Sequence, residues 1–166
     1  MVITKKFISK KLNKNKTNKI LSHKILSHEC KLLNHFRGYL DKTKNDWNYI
    51  TPHDFYHQYY ITNKMRDIFL IDLRKPDEYR KMHIKGAHNI FWLDLLNENN
   101  LRKLPKDKTI FLICYVGHTS SQAMVLLKLL GYKVVSIKFG YGISPVFEVP
   151  IAGWTAMRYP TTKCNA

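Results

Sequence analysis

Cysteine is scarce in this chain: there are three among 166 residues, an odd number. Small proteins that depend on disulfides carry more cysteines, so a disulfide scaffold is excluded and a reducing compartment is expected. Seven glycines and six prolines exclude collagen-like and proline-rich architectures. No apolar run reaches the roughly 18 residues that a membrane-spanning helix needs. With 45% hydrophobic and 24% charged residues, the composition indicates a globular protein of one domain with a short extension.

Acidic residues are also few, 12 against 28 Lys and Arg, so the net charge is +16. Residues 1–44 hold twelve of the cations and only two acids, Glu29 and Asp41, which makes a net charge of +10. One hypothesis for this segment is a poorly ordered extension, helical in part from Ile20 to Phe36. A second is an organellar presequence. A third is a tail that binds phosphates or an anionic membrane surface without reading nucleic-acid sequence.

From residue 45 onward, short apolar runs alternate with segments that have helix signals. The segments predicted to be extended are Tyr49–Ile50, Asp67–Asp72, Gly86–Ile90, Thr109–Cys114 and Lys133–Lys138. Helices are expected over 53–60 after the cap Thr51-Pro52, from Lys75, and from Ser120 to Leu130 with Gly131 just beyond. This alternation predicts an α/β domain over residues 45–160, with a mainly parallel sheet covered by helices on both faces and a tail over 161–166.

The turn after Cys114 is the candidate site. Cys114 ends an apolar strand, and a glycine-containing loop then leads into a helix. Ligands of open α/β sheets bind beyond the carboxyl ends of strands, and a helix N-terminus directs amide N–H groups and partial positive charge at such a ligand. That environment favours a nucleophilic thiolate. The expected binding loop comprises Tyr115, Val116, Gly117, His118, Thr119 and Ser120. The alternative is that Cys114 is an ordinary buried strand residue.

The chain resembles the rhodanese (sulfurtransferase) domain in a series of residues that occur in order between Tyr49 and Trp154. These are Asp72, Arg74, Asp77, Glu78 and Tyr79; His83 to Ile90; Leu104 and Pro105; Cys114, Gly117 and Ser120; Leu130, Gly131 and Tyr132; and Gly140, Gly142 and Trp154. The resemblance implies a three-layer rhodanese-like fold with a five-stranded sheet.

The same resemblance implies a reaction and its partners. The loop cysteine, here Cys114, would take a sulfane sulfur from thiosulfate, 3-mercaptopyruvate or a persulfide and hold it as a persulfide. Cyanide, a thiol or a protein acceptor would then remove it. The reaction needs no metal or organic cofactor, and no specific nucleic-acid partner is expected. Asp72 and Arg74 would support the site, either as an ion pair or through contact between Arg74 and an anionic substrate.

Two departures from the family pattern bear on the substrate. Members that prefer thiosulfate often carry basic residues where this chain has Tyr115 and Thr119. Their replacement is expected to weaken the binding of thiosulfate, and the donor stays open. The segment between Gly142 and Trp154 is longer than usual, and residues 143–153 are predicted to pack near the Cys114 loop as a lid or partner surface.

Other classes fit the sequence less well. A non-catalytic or weakly catalytic rhodanese-like module for binding or sulfur relay is the main alternative. A cysteine phosphatase would need Arg at position 120 to hold phosphate, and Ser120 stands there. A zinc site from His83, His88 and Cys114 matches no standard ligand spacing. The expected location is the cytoplasm, or an organellar matrix if residues 1–44 act as a presequence.

Overall fold

The computed structural model describes residues 27–44, 46–143 and 152–164. The chain divides between Lys44 and Asn45 into two units. In the first unit, residues 27–43 form helix α1, so the helix predicted over 20–36 is seen from residue 27 and continues past Phe36. Residues 20–26 of that predicted helix lie outside the described residues, as does most of the segment 143–153 that was predicted to be a lid or partner surface.

The second unit is built on a five-stranded sheet in which all neighbouring strands are parallel, in the order β1-β5-β4-β2-β3. The strands are β1 (Tyr49–Ile50), β2 (Ile68–Asp72), β3 (His88–Asn89), β4 (Thr109–Ile113) and β5 (Val134–Ile137). The predicted α/β class and parallel sheet are therefore confirmed. The two continuous apolar runs form β4, the central strand, and β2 beside it. A strand in this position is covered on both faces, so all of its side chains can be apolar.

The helices of this unit are short, except for the last one. They are α2 (Pro52–Phe55), which continues as a π-helical turn (Tyr56–Tyr60), α3 (Pro76–Lys81), α4 (Glu98–Leu101) and α5 (His118–Leu129), with 3-10 turns at Met65–Asp67 and Trp92–Asp94. Thr51 caps α2 as predicted, because its hydroxyl accepts the Asp54 N–H at 3.0 Å. No helix in the described parts of the chain is long and apolar enough to cross a bilayer.

Helix α5 begins two residues earlier than its predicted start at Ser120. Gly117 takes the N-cap position with φ of 95°, a left-handed conformation that glycine adopts without steric cost. The chain therefore turns into the helix immediately after Gly117, and Ser120 lies inside the first turn.

Two apolar clusters fill the spaces on either side of the sheet, one around Leu112 and Leu127 and the other around Phe111 and Trp154. The segment predicted as a tail contacts the second cluster's side of the domain. Thr162 forms an antiparallel bridge with His83, and the Cys164 N–H donates to the Arg80 carbonyl at 3.1 Å. Asp72, Arg74 and Ser120, three of the buried polar residues, lie at the carboxyl ends of β2 and β4 or just beyond them.

Candidate functional site

Cys114 lies directly after the central strand β4, and its side chain faces the N-terminus of α5. The sulfur atom Sγ accepts the backbone N–H of Gly117 at 3.2 Å and that of Ser120 at 3.4 Å. The residue is 1% exposed. Two amides and the positive end of a twelve-residue helix thus converge on one sulfur, an arrangement that stabilises negative charge there.

Close backbone approaches hold the loop in this shape. Gly140 comes so near that a Cβ on it would lie 2.1 Å from the Cys114 carbonyl oxygen, and a Cβ on Gly117 would lie 3.0 Å from the Phe139 nitrogen. The segment after β5 also bonds the loop, since the Tyr141 and Gly142 N–H groups donate to the carbonyls of Cys114 and Tyr115, both at 2.9 Å. Only glycine fits at positions 117 and 140, because a side chain would displace backbone.

A chain of hydroxyl groups lies behind the sulfur. The Ser136 hydroxyl of β5 donates to Ser120 Oγ at 2.8 Å, and Ser120 donates to the Gly117 carbonyl at 3.0 Å. The Cys114 thiol itself reaches Ser120 Oγ at 3.5 Å. Ser136 was not among the predicted site residues. The available signal was a serine inside an otherwise apolar strand, where a buried hydroxyl needs a partner.

The other predicted loop residues lie near Cys114, but none of their side chains has a described hydrogen bond to its sulfur. Tyr115 is half-buried, and its hydroxyl oxygen accepts the Lys75 N–H at 3.4 Å. Val116 and Thr119 are also half-buried, whereas His118 is exposed. Of the predicted amide cradle over 115–120, the N–H groups of Gly117 and Ser120 are the ones that reach Sγ.

Asp72 and Arg74 form a buried ion pair at the neighbouring turn after β2. Arg74 Nη2 lies 2.7 Å from Asp72 Oδ2, and both side chains are at most 1% exposed. Arg74 also donates to the Met82 carbonyl at 2.5 Å, and its guanidinium stacks over the Tyr141 ring at 3.5 Å. Of the two roles predicted for Asp72 and Arg74, these contacts correspond to the ion pair. Contact between Arg74 and an anionic substrate stays a prediction.

Tyr141 completes this buried group. Its hydroxyl donates to Asp72 Oδ2 at 3.0 Å and accepts the Ile84 N–H at 3.0 Å. Burial, followed by the charge of Asp72, raises the pKa of Tyr141 well above its ordinary value. Burial alone would lower the pKa of Arg74, but the hydrogen bond and charge of Asp72 outweigh it and raise that pKa. Tyr141 is therefore a neutral phenol and Arg74 a cation at any physiological pH.

No group of three His, Cys, Asp or Glu residues within 27–44, 46–143 and 152–164 could hold a metal ion. Cys30, Cys114 and Cys164 are all free thiols. The reactive atom of the site is the Cys114 sulfur, which accepts two backbone N–H groups.

Comparisons with known proteins place this arrangement in a family. The family model described as "Rhodanese-like domain" matches residues 56–142, more than half of the chain. The sequence is 30% identical over 102 residues to thiosulfate sulfurtransferase GlpE of Coxiella burnetii, covering 61% of this chain and 84% of that protein.

Two further relatives match over shorter stretches. The probable adenylyltransferase/sulfurtransferase MoeZ of Mycobacterium tuberculosis is 37% identical over 67 residues, covering 40% of this chain and 17% of that protein. Thiosulfate sulfurtransferase PspE of Escherichia coli is 36% identical over 63 residues, covering 37% and 60%. The chain thus spans about a sixth of MoeZ, and the likeness to that protein concerns one part of it.

Solved structures share the fold at lower identity. A protein from Bacillus halodurans superposes with a TM-score of 0.57 at 21% identity, over 77% of this chain and 83% of that one. The rhodanese-like domain of an Anabaena protein superposes with a TM-score of 0.56 at 23% identity, over 69% and 78%.

Proposed function

Because the chain belongs to the rhodanese-like domain family, we propose that it is a sulfurtransferase that carries sulfur as a persulfide on Cys114. The observation that supports this most is the pair of N–H groups, from Gly117 and Ser120, that point at Sγ from the start of α5. A thiolate needs this stabilisation to attack, and the terminal sulfur of a persulfide carries the same negative charge.

The reaction balances as two sulfur transfers. The Cys114 thiolate attacks the sulfane sulfur of the donor, and a new S–S bond forms. The bond between that sulfur and the rest of the donor breaks, and its electron pair leaves with the remainder, as sulfite when the donor is thiosulfate. An acceptor then attacks the outer sulfur of the persulfide and restores the thiolate, and cyanide gives thiocyanate in this step.

The donor is one of thiosulfate, 3-mercaptopyruvate or a persulfide, and the acceptor is a thiol, cyanide or a protein. The role of the loop Tyr115 to Ser120 is to bind the donor's anionic part with backbone N–H groups. We place the reaction in the cytoplasm, because a free thiol nucleophile needs a reducing compartment. A presequence in residues 1–44 would instead direct it to an organellar matrix.

The burial of Cys114, which is 1% exposed, favours one second candidate. A module that receives sulfur from, or passes it to, a dedicated protein partner needs no open access for small donors. Such a protein would have a titratable Cys114 but would not turn over free donors.

Intact mass of the purified full chain tests the proposal. The protein is incubated with thiosulfate or 3-mercaptopyruvate, beside Cys114→Ser and a Cys30→Ser/Cys164→Ser control that keeps the site thiol. We expect the wild type and the double variant to gain one sulfur atom that cyanide removes, while Cys114→Ser gains none. Absence of any gain in folded protein with a titratable Cys114 would favour the second candidate.

A further inference from the structure

Ser136 is a buried serine within β5, and its side chain reaches the candidate site. Its hydroxyl donates to Ser120 Oγ at 2.8 Å. Ser120 and Ser136 are 0% exposed and Cys114 is 1% exposed, so the protein itself has to supply the hydrogen bonds of these three groups. The described hydrogen bonds of Sγ do not include Ser136, and we therefore expect it to act on the sulfur through Ser120.

The hydroxyl of Ser120 uses its full hydrogen-bonding capacity in this arrangement. A hydroxyl group donates once and accepts twice. Ser120 Oγ accepts the Ser136 hydroxyl and the Cys114 thiol, the latter at 3.5 Å, and it donates to the Gly117 carbonyl at 3.0 Å. This pattern suits a protonated Cys114, because only the thiol has a proton to donate to Ser120.

A thiolate at Cys114 needs the opposite direction in the bond to Ser120. A thiolate has no proton to donate, and hydrogen-bond donors stabilise it. The backbone N–H groups of Gly117 and Ser120 are two such donors. Among the described residues, Ser120 is the one whose side chain lies within hydrogen-bond distance of Sγ. If its O–H turns from the Gly117 carbonyl to Sγ, the thiolate gains a third donor.

The Gly117 carbonyl can release the Ser120 hydroxyl without being left unpaired. It also accepts the Ser121 hydroxyl at 2.7 Å and the Ser121 N–H at 3.1 Å. A carbonyl oxygen has two lone pairs, so two donors still occupy it after Ser120 has turned. The Ser136 hydroxyl can stay on Ser120 Oγ in both states, because rotation of the O–H leaves the oxygen in place.

We propose that Ser136 is a positioning residue that holds Ser120 Oγ beside Sγ, so that the Ser120 O–H turns to the sulfur whenever Cys114 is a thiolate. The bond that Ser120 accepts from Ser136 also polarises the O–H that Ser120 donates, since hydrogen bonds in a chain strengthen one another. The part of Ser136 in sulfur transfer rests on the proposed function, in which Sγ is negatively charged before loading and again after the acceptor has taken the sulfur.

A double-mutant cycle on the two serines tests this inference in the full chain. The variants are Ser136→Ala, Ser120→Ala and both together, each in the Cys30→Ser/Cys164→Ser background that leaves Cys114 as the only thiol. Intact mass follows two rates. One is the alkylation of Cys114 by iodoacetamide at neutral pH, which depends on the thiolate and needs no sulfur donor. The other is sulfur loading over a range of thiosulfate or 3-mercaptopyruvate concentrations.

The matched control is Val135→Ala, at the neighbouring position of β5. Val135 is half-buried and packs against the apolar cluster around Phe111 and Trp154, whereas Cys114 belongs to the other cluster. The control therefore weakens the same strand without touching the hydroxyl groups. Thermal unfolding shows how far each substitution destabilises the protein.

We expect Ser136→Ala to slow alkylation, and loading at saturating donor, about fivefold. The donor concentration that gives half the maximal loading rate should stay the same, because Ser136 does not touch the donor. Adding Ser136→Ala to Ser120→Ala should change neither rate further, and Val135→Ala should leave both rates at the wild-type level.

An unchanged alkylation rate in Ser136→Ala would overturn this inference. An equally large slowing by Ser136→Ala in the Ser120→Ala variant would also overturn it, because Ser136 would then not act through Ser120. The same holds for equal slowing by Val135→Ala, since the cause would be a weakened strand. Failure of both donors to load the wild type would overturn the proposed function instead, while the alkylation rates would still decide this inference.

Discussion

The turns after β2 and β4 lie side by side at the same edge of the sheet, but their polar groups are arranged differently. Beyond β2, Asp72 pairs with Arg74 and accepts a hydrogen bond from the Tyr141 hydroxyl. These three side chains satisfy one another, and we call them the closed group. Beyond β4, two N–H groups converge on Cys114 Sγ, an atom that can form a covalent bond to a ligand. Both turns follow a continuous apolar strand, so the strand pattern does not tell them apart.

The difference shows how the fold holds the Cys114 thiol in place. A buried ion pair is costly to desolvate and contributes to stability only while both partners are present. Here the pair anchors the ends of β2 and Tyr141, and Tyr141 in turn bonds the carbonyl of Cys114. We therefore expect changes at the turn after β2 to lower the free energy of unfolding, and changes at the turn after β4 to lower activity more than stability.

Arg74→Met should have the largest effect on stability. The substitution keeps much of the side-chain volume but leaves the Asp72 carboxylate buried without its cation, which costs about 3–5 kcal/mol. Urea unfolding at neutral pH measures it. The matched control is Arg80→Met, because Arg80 pairs with Asp77 on the surface of α3 and such exposed pairs contribute at most about 1 kcal/mol. Equal losses in the two variants would contradict the closed-group interpretation.

Tyr141→Phe should have an intermediate effect that depends on pH. At neutral pH the Ile84 N–H loses its acceptor and Asp72 loses a donor, at a cost of about 1–3 kcal/mol. Folding raises the pKa of Tyr141 above its ordinary value of 10.0, so the native state holds this proton more tightly than the unfolded state. The wild type therefore has the full contribution below about pH 10 and loses it as the pH rises further.

The variant lacks that ionisable group, so its stability should fall less steeply in alkaline solution. Urea unfolding between about pH 8 and 11 compares the two slopes, and one proton accounts for at most about 1.4 kcal/mol per pH unit. If the free energies of unfolding of wild type and variant fall in parallel with pH, the pKa of Tyr141 is not raised by folding.

Ser120→Ala should have the smallest effect on stability but a clear one on the reaction. The Ser136 hydroxyl loses its acceptor, which costs about 1 kcal/mol, and loss of the hydroxyl beside Sγ should slow sulfur loading of Cys114 about tenfold. The matched control is Ser121→Ala, since Ser121 also donates to the Gly117 carbonyl and has no contact with Sγ among its described hydrogen bonds. Time-resolved intact mass measures the loading, and similar rates in both variants would contradict the role of Ser120.

Much of the fold was predictable from local patterns. The apolar runs within 67–72 and 109–114 have the pattern of strands buried on both faces, and Thr51 with Pro52 marked the start of α2. The start of α5 was misplaced because a serine cap was expected, whereas Gly117 makes the turn through a positive φ. That choice depends on the close approach of Phe139, which is distant in sequence.

The amino-acid sequence by itself determined the α/β class, the parallel sheet and the candidate role of Cys114, because apolar periodicity and the order strand, glycine loop, helix are local properties. Only the tertiary structure decided that Arg74 is committed to Asp72, that Ser136 supports Ser120, and that Phe139 stands beside the Cys114 loop. Ser136 and Ser120, like Phe139 and Gly117, are distant in the chain, and the two members of the Asp72–Arg74 pair are held together by their common burial. Buried polar atoms need hydrogen-bond partners, and only the folded chain determines which partner lies within bonding distance.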